Sequence, residues 1–325
     1  MKIETDFKTV LVVGVTGMLG NQIASYLLER NDCKVRALIR PGGYTNKKAE
    51  IIKNLCNIGL ETFEGDLLSP DSLFSACEDV DTIISAVQGN EDVIVEGQKN
   101  LIEAAEKTGV AKMIPSDFSV DIHKLDYADS VWLAPRKQAN EAFEGRSVRP
   151  ISVLNGAFME VAINPMLGIV NWEDNIFTYW GDDQTLCDFT SINDSAKFTA
   201  AVAVDDSFSG RSLRVAGDVL SMRKLHELYE EFAGRKLEYR CGGTISDLKE
   251  KIAIIRKKDP SNIPAYGLYQ SLYVMMSGKG KLDPLDNARY SDFEPLTFRE
   301  FLRSNPMTTG GLGGVDNKTM VKSYS

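Results

Sequence analysis

Histidine is almost missing from this 325-residue chain: there are two, His123 and His226. The five cysteines (Cys33, Cys56, Cys77, Cys187, Cys241) are scattered and odd in number. Neither set falls at ligand spacing, so a metal centre lacks a donor set and a disulfide framework lacks its pairs. The expectation is a surface or core place for each histidine and reduced, mostly buried, inert thiols. Positive charge is also in short supply, with 37 Lys and Arg against 46 Asp and Glu, a formal net charge of −9. A nucleic-acid-binding surface needs a positive field, so no nucleic-acid partner is expected. No apolar run reaches bilayer length, and Met1 to Asp6 lacks the apolar core of a signal peptide. A cytoplasmic protein without a membrane contact is the reading.

What the chain does have begins at Val10-Leu11-Val12-Val13, an apolar run that leads straight into Gly14-Val15-Thr16-Gly17-Met18-Leu19-Gly20 and a helical stretch over 21–30. Strand, glycine turn and helix start together build a pyrophosphate cradle. Glycines serve the tight turn, the close approach of backbone to phosphate, and tight helix-on-sheet packing. The helix start adds free N–H groups and a positive dipole end. Gly14, Thr16, Gly17, Met18, Leu19 and Gly20 are therefore expected to bind a dinucleotide. The glycines recur every third residue, unlike the G-x-G-x-x-G of many dehydrogenases.

Strands and helices then alternate through the first half: strands over 34–40, 60–66, 82–86, 112–115 and 150–154, with helices over 47–57, 72–78, 91–108 and 129–145. Such alternation predicts right-handed crossovers and an α/β fold, a Rossmann-type doubly wound parallel sheet. Ligands bind such sheets at the carboxyl ends of the strands. That rule selects Ala86, Val87 and Gln88 after the fourth strand, Pro115 and Ser116 after the fifth, and Asn155 and Phe158 after the sixth. The expected division is a dinucleotide-binding domain over 1–158, to which some later segments return, and a smaller α/β substrate lobe over 159–307. A flexible tail is expected over 308–325, where Gly310-Gly311-Leu312-Gly313-Gly314 has no periodicity.

Arg40 ends the second strand, about twenty positions after Gly20. An acid there would bond the ribose 2′-hydroxyl of NAD, whereas a base suits the 2′-phosphate of NADP. An arginine offers that phosphate a bidentate fork, and Lys48 can add a second charge. The expected cofactor is NADPH/NADP. Asp66, past the third strand, has two readings: a contact near the adenine, or a turn and helix-capping aspartate.

Taken with Gly65-Asp66-Leu67, Ile114-Pro115-Ser116-Asp117-Phe118, Arg136-Lys137 and Val153-Leu154-Asn155-Gly156-Ala157-Phe158, these motifs resemble the atypical short-chain dehydrogenases. That group holds NmrA-like proteins and isoflavone-reductase-like enzymes, and the resemblance runs from about Thr9 to about Ser304. It implies NADPH binding, a Rossmann domain and a small C-terminal lobe closing over the substrate, with Asn155 and Phe158 against the nicotinamide. It also implies one reactive lysine, matched here by Lys137, as general acid/base. A lysine does such work where burial or nearby positive charge eases proton loss. The Tyr-x-x-x-Lys pair of ordinary members occurs only as Tyr44 to Lys48, on the adenosine side, and reads as coincidence; Tyr127 has no lysine four residues on. Asp117 stands where these reductases commonly carry Glu, and Ser119 where they carry Gly.

The function expected is an NADPH-dependent reductase of a small apolar, aromatic or conjugated metabolite, working as a monomer or homodimer. The alternative is a non-catalytic NADP(H)-sensing regulator of the NmrA type. In the second half, 163–170, 172–180 and the Tyr and Met cluster of 266–276 are apolar enough to line a pocket, though plain core is the commoner use of such residues. Helices are expected over 194–204, 221–234 and 297–302.

Overall fold

The computed structural model describes residues 7–30, 32–42, 44, 47–305, 307–308 and 311–312. The chain divides into two compact units. The first comprises Met1–Asp117, Gln138–Val153 and Ser195–Leu213; the second comprises Phe118–Lys137, Leu154–Asp194 and Arg214–Ser325.

The first unit is built on six strands, β1 (Lys8–Val13), β2 (Cys33–Ile39), β3 (Glu61–Glu64), β4 (Thr82–Ser85), β5 (Lys112–Ile114) and β6 (Arg149–Pro150). They form one sheet in the order β3-β2-β1-β4-β5-β6, with every pairing parallel. Strands covered on both faces tend to read as apolar runs: β1 does so over Val10 to Val13, and β4, wholly buried, holds Ile83 and Ile84 between the buried hydroxyls of Thr82 and Ser85. The helices are α1 (Met18–Glu29), α2 (Lys47–Asn57), α3 (Phe74–Cys77), α4 (Gly97–Thr108) and α5 (Ala134–Glu141), which runs through the division at Lys137. On one face, Leu11, Val13, Leu38 and Ile83 pack with Leu73, Ala76, Leu101 and Ala105 in a single core. Gly109 ends α4 at φ +78°, as a left-handed cap residue does.

Strand order reverses between β1 and β4, which both run out from the middle of the sheet. Val13 lies opposite Ser85 there, so the two chain ends leave the sheet side by side. That is the switch point where α/β sheets bind ligands.

The second unit holds two three-stranded sheets, among shorter pairings, and a larger apolar core. In chain order its strands are β7 (Ser152–Leu154, shared with the first unit), β8 (Ala157–Phe158), β9 (Val170–Asn171), β10 (Ile176–Tyr179), β11 (Leu186–Thr190), β12 (Ser212–Arg214, also shared), β13 (Asp218–Ser221) and β14 (Glu238–Cys241). They pair as β14-β10-β9, β13-β11-β8 and β12-β7. Helices α6 (Met159–Ala162), α7 (Ile192–Val204), α8 (Met222–Ala233), α9 (Ile245–Lys258), α10 (Ile263–Met276) and α11 (Phe298–Ser304) complete it, α7 passing into the first unit at Ser195. Trp172, Phe177, Trp180, Phe189, Tyr229 and Phe298 are all buried in one cluster with Leu272 to Met276. The stretches over 163–180 and 266–276 are thus mainly core.

Three sequence expectations shift. The helix expected from Asp129 starts at Ala134, because the preceding segment is tied elsewhere: the Asp129 carboxylate accepts the Asp126 N–H, and the Val131 N–H goes to the Gln270 side chain. The strand expected over 150–154 breaks at Ile151, β6 staying at the sheet edge and β7 turning to pair with β12. The thiols are not mostly buried: Cys77 and Cys187 are, each pushed up to about 12 by burial, but Cys56 and Cys241 are exposed. Of the tail over 308–325, Met307–Thr308 pairs with Gly311–Leu312, and the rest lies outside the described residues.

Candidate functional site

The cradle follows from where β1 ends. Gly14 adopts φ +92°, and a Cβ there would stand 2.5 Å from the Ala86 carbonyl oxygen, which leaves the end of β4. The Gly17 N–H donates to the Gly14 carbonyl at 2.9 Å and closes the turn. Gly20, buried in the first turn of α1, brings the helix so close that a Cβ would meet the Gly14 oxygen at 2.3 Å. Gly17 differs: its φ of −80° suits any residue, and its Cβ would lie 3.3 Å from Gly14. The fold demands glycine at 14 and 20, while at the exposed position 17 it leaves the helix end bare. No side chain caps α1 and no acid stands in its first turn, so its leading N–H groups and dipole face outward. Thr16 and Leu19 are half-buried and Met18 is exposed.

Arg40 is exposed just past β2, and its N–H donates to the Tyr44 hydroxyl at 3.3 Å. The Arg40 guanidinium and the Lys48 ammonium lie 5.8 and 5.9 Å from the Tyr44 ring centre. Neither cation pairs with a carboxylate among the described residues, unlike Arg30, which pairs with Asp32. Tyr44, set aside as half of a coincidental motif, organises both cations; its spacing of four from each was the available signal. Asp66 holds a turn: its carboxylate accepts the Leu68 N–H at 2.9 Å and its carbonyl the Ser69 N–H. The other strand ends are pinned together, with the Ser116 hydroxyl donating to the Val87 carbonyl at 2.8 Å, Pro115 buried and Gln88 exposed.

A buried network went unread in the sequence. Asp117 accepts from the Asn140 amide at 2.6 Å and the Ser152 hydroxyl at 2.7 Å, tying the ends of β5, α5 and β7 together. No local periodicity marks it, since the three residues are far apart in the chain.

In the second unit, Asn155 is fully buried and its side-chain oxygen and nitrogen have no hydrogen-bond partner among the described residues. Its backbone, by contrast, is pinned: the N–H donates to the Ser119 carbonyl and its carbonyl accepts the Thr190 hydroxyl. A buried amide with nothing to bond calls for a ligand or solvent. Gly156 turns at φ +66°, where a Cβ would strike the Asp188 carbonyl at 2.3 Å, and Phe158 is half-buried. Lys137, half-buried on α5, donates to the Leu125 carbonyl at 2.6 Å, with its ammonium 5.6 Å from the Tyr127 ring centre. Tyr127 thus meets the lysine across ten residues rather than four. Among the described residues, no His, Cys, Asp and Glu group could hold a metal, and no helix is long and apolar enough to cross a membrane.

A parallel sheet with its switch point at β1 and β4, a glycine turn and an uncapped helix start define a protein of Rossmann-type α/β fold. Residues 6–302 match the profile of the NmrA-like family, and the chain belongs to that family. It is similar to a probable pinoresinol-lariciresinol reductase 3 of Arabidopsis thaliana, 26% identical over 316 residues, covering 93% of this chain and 99% of the relative. A solved structure of AtPrR2 with NADP+ and (+)pinoresinol superposes with a TM-score of 0.78 at 21% identity, covering 92% of this chain and 98% of the other. The leucoanthocyanidin reductase–NADPH complex from Vitis vinifera gives 0.74 at 20% identity, with 91% and 98% covered. At such identities the structural matches speak for the fold.

Proposed function

We propose that this chain is an NADPH-dependent oxidoreductase that reduces a small apolar metabolite with an aromatic or conjugated system. The observation that carries the reading is the pairing of the bare α1 start with Arg40 and Lys48, two cations without a carboxylate partner among the described residues, where NAD-binding folds place an acid. The 26%-identical Arabidopsis relative named as a reductase supports it. In this reading the backbone N–H groups of 18–20 bind the pyrophosphate, and Arg40 and Lys48 take the 2′-phosphate. Ala86 to Gln88, Pro115 and Ser116 border the bound dinucleotide, and Asn155 and Phe158 serve its nicotinamide end, the orphaned Asn155 amide by hydrogen bonding. When bound, NADPH supplies a hydride. Lys137 exchanges a proton with a phenol or carbonyl oxygen of the substrate, and the Leu125 carbonyl fixes its ammonium in place.

That same contact favours the second reading. An ammonium already satisfied by Leu125 and set against Tyr127 can be structural, as a cofactor-sensing regulator would allow. Lys137→Ala separates the two. For the reductase, NADPH oxidation across phenylpropanoid, enone and imine substrates falls about 10²- to 10⁴-fold while NADPH affinity stays near wild type. Unchanged turnover removes Lys137 from catalysis. Tight NADPH binding with no oxidation by the wild type across the panel supports the regulator.

A further inference from the structure

The second unit carries a groove between α9 and α10 that the reading above does not use. It encloses about 570 Å³, within the range of small-molecule sites, and is lined by Lys249, Ile252, Arg256, Lys257, Tyr273 and Asp129. Three cations face one carboxylate, in a chain whose net charge is −9. That carboxylate is spent: Asp129 accepts the Asp126 N–H and is ion-paired with Lys279. The three cations are exposed and none is within ion-pair distance of a carboxylate among the described residues, although Lys249, after Lys279, adds to the positive field that holds the Asp126 carboxyl below its ordinary value. Lys249 instead lies 4.8 Å from the Tyr273 ring centre, and Arg256 5.8 Å from that of Tyr266. The wall behind them is fixed, because the buried Gln270 donates to the Ala128 carbonyl at 3.1 Å and accepts the Val131 N–H at 2.9 Å.

Helix-end cations such as Arg256 and Lys257 also answer the dipole of α9. Lys249 does not, since it stands in the first half of that helix and still turns toward the same space. An apolar floor of Ile252 and Tyr273 under a rim of three cations, none in a close ion pair among the described residues, matches a flat ring bearing an acid. We propose that this groove binds a small anionic aromatic molecule. Its ring lies on Ile252 and Tyr273, and its carboxylate or phosphate is held by Lys249, Arg256 and Lys257. The anion is either the acidic end of a substrate or an effector, and binding itself requires no turnover, so the groove stands or falls apart from the reductase reading.

The test uses the full chain and three probes: 4-hydroxycinnamate, phenyl phosphate and the neutral methyl 4-hydroxycinnamate, titrated by calorimetry and ligand-observed NMR. The two anions should bind at least about tenfold tighter than the ester, since charge-assisted contacts carry the difference. Changing all three cations, as Lys249→Gln, Arg256→Gln and Lys257→Gln, should erase that preference, and added salt should weaken it. These positions are exposed, and an unchanged melting temperature checks that the variant folds. NADPH consumption with 4-hydroxycinnamate identifies the anion as substrate, and binding without consumption as effector; both uphold the groove. An ester that binds as tightly as the acid, no measurable binding of either anion, or a triple variant with wild-type affinity would overturn the proposal.

Discussion

Glu160 offers a quantitative test of how the second unit is built. Both of its carboxylate oxygens accept the Ile192 N–H, at 3.0 and 3.1 Å, at the start of α7. Burial nonetheless dominates and, with Asp194 nearby, pushes the carboxyl from 4.5 up to about 7. The folded chain therefore holds a proton that the unfolded chain releases from pH 4.5 upward. Stability is lost as pH rises from 4.5 to 7, and the full penalty is present above 7. Linkage makes that penalty about 1 kcal/mol at pH 5 and about 3 kcal/mol at pH 8. Glu160→Gln keeps an oxygen for the Ile192 N–H and removes the charge. Denaturant unfolding of wild type and variant between pH 5 and 8 should show the variant gaining stability over wild type, the gap widening by about 2 kcal/mol across the range. A gap that stays flat, or a variant that loses ground as pH rises, would refute the reasoning about this buried carboxyl.

Other consequences are simpler to read. Gly20→Ala should cost about 1–3 kcal/mol and most of the cofactor affinity, because its Cβ meets backbone at 2.3 Å. Gly17→Ala, whose Cβ would make a tight but milder 3.3 Å contact with the Gly14 oxygen, should lower the melting temperature less than Gly20→Ala while still losing affinity; equal destabilisation of the two would contradict the division of roles. In native protein, a maleimide should label Cys56 and Cys241 within minutes and leave Cys77 and Cys187 untouched until denaturant is added, as mass spectrometry of the peptides would show.

Local pattern carried much of this structure. Val10 to Val13 is an apolar run because both faces of the sheet are covered, and such a run points to a parallel sheet. The glycine spacing was legible for the same kind of reason: Gly14 and Gly20 touch within six residues of each other. Contacts made across the chain left no such trace. Thr82 bonds the Ala203 carbonyl in α7, and nothing periodic in either segment announces the other. In the sequence Asp117 is only a departure from a motif, while its partners Asn140 and Ser152, each ordinary in its own segment, give it a buried purpose. Asp129 looked like the start of a helix because its demand from Lys279, 150 residues on, is invisible locally. The orphaned amide of Asn155 is likewise a property of packing rather than of sequence.

The central claim is that the bare α1 start and the cations past β2 select NADPH. Calorimetric titration of wild type and Arg40→Ala with NADPH and with NADH tests it directly. Wild type should bind NADPH far more tightly than NADH, and the variant should lose about ten- to a hundredfold for NADPH, as expected for a charge-assisted phosphate contact, while its NADH affinity holds. Equal affinity of the wild type for the two cofactors, or an Arg40→Ala variant with undiminished preference for NADPH, would contradict the account.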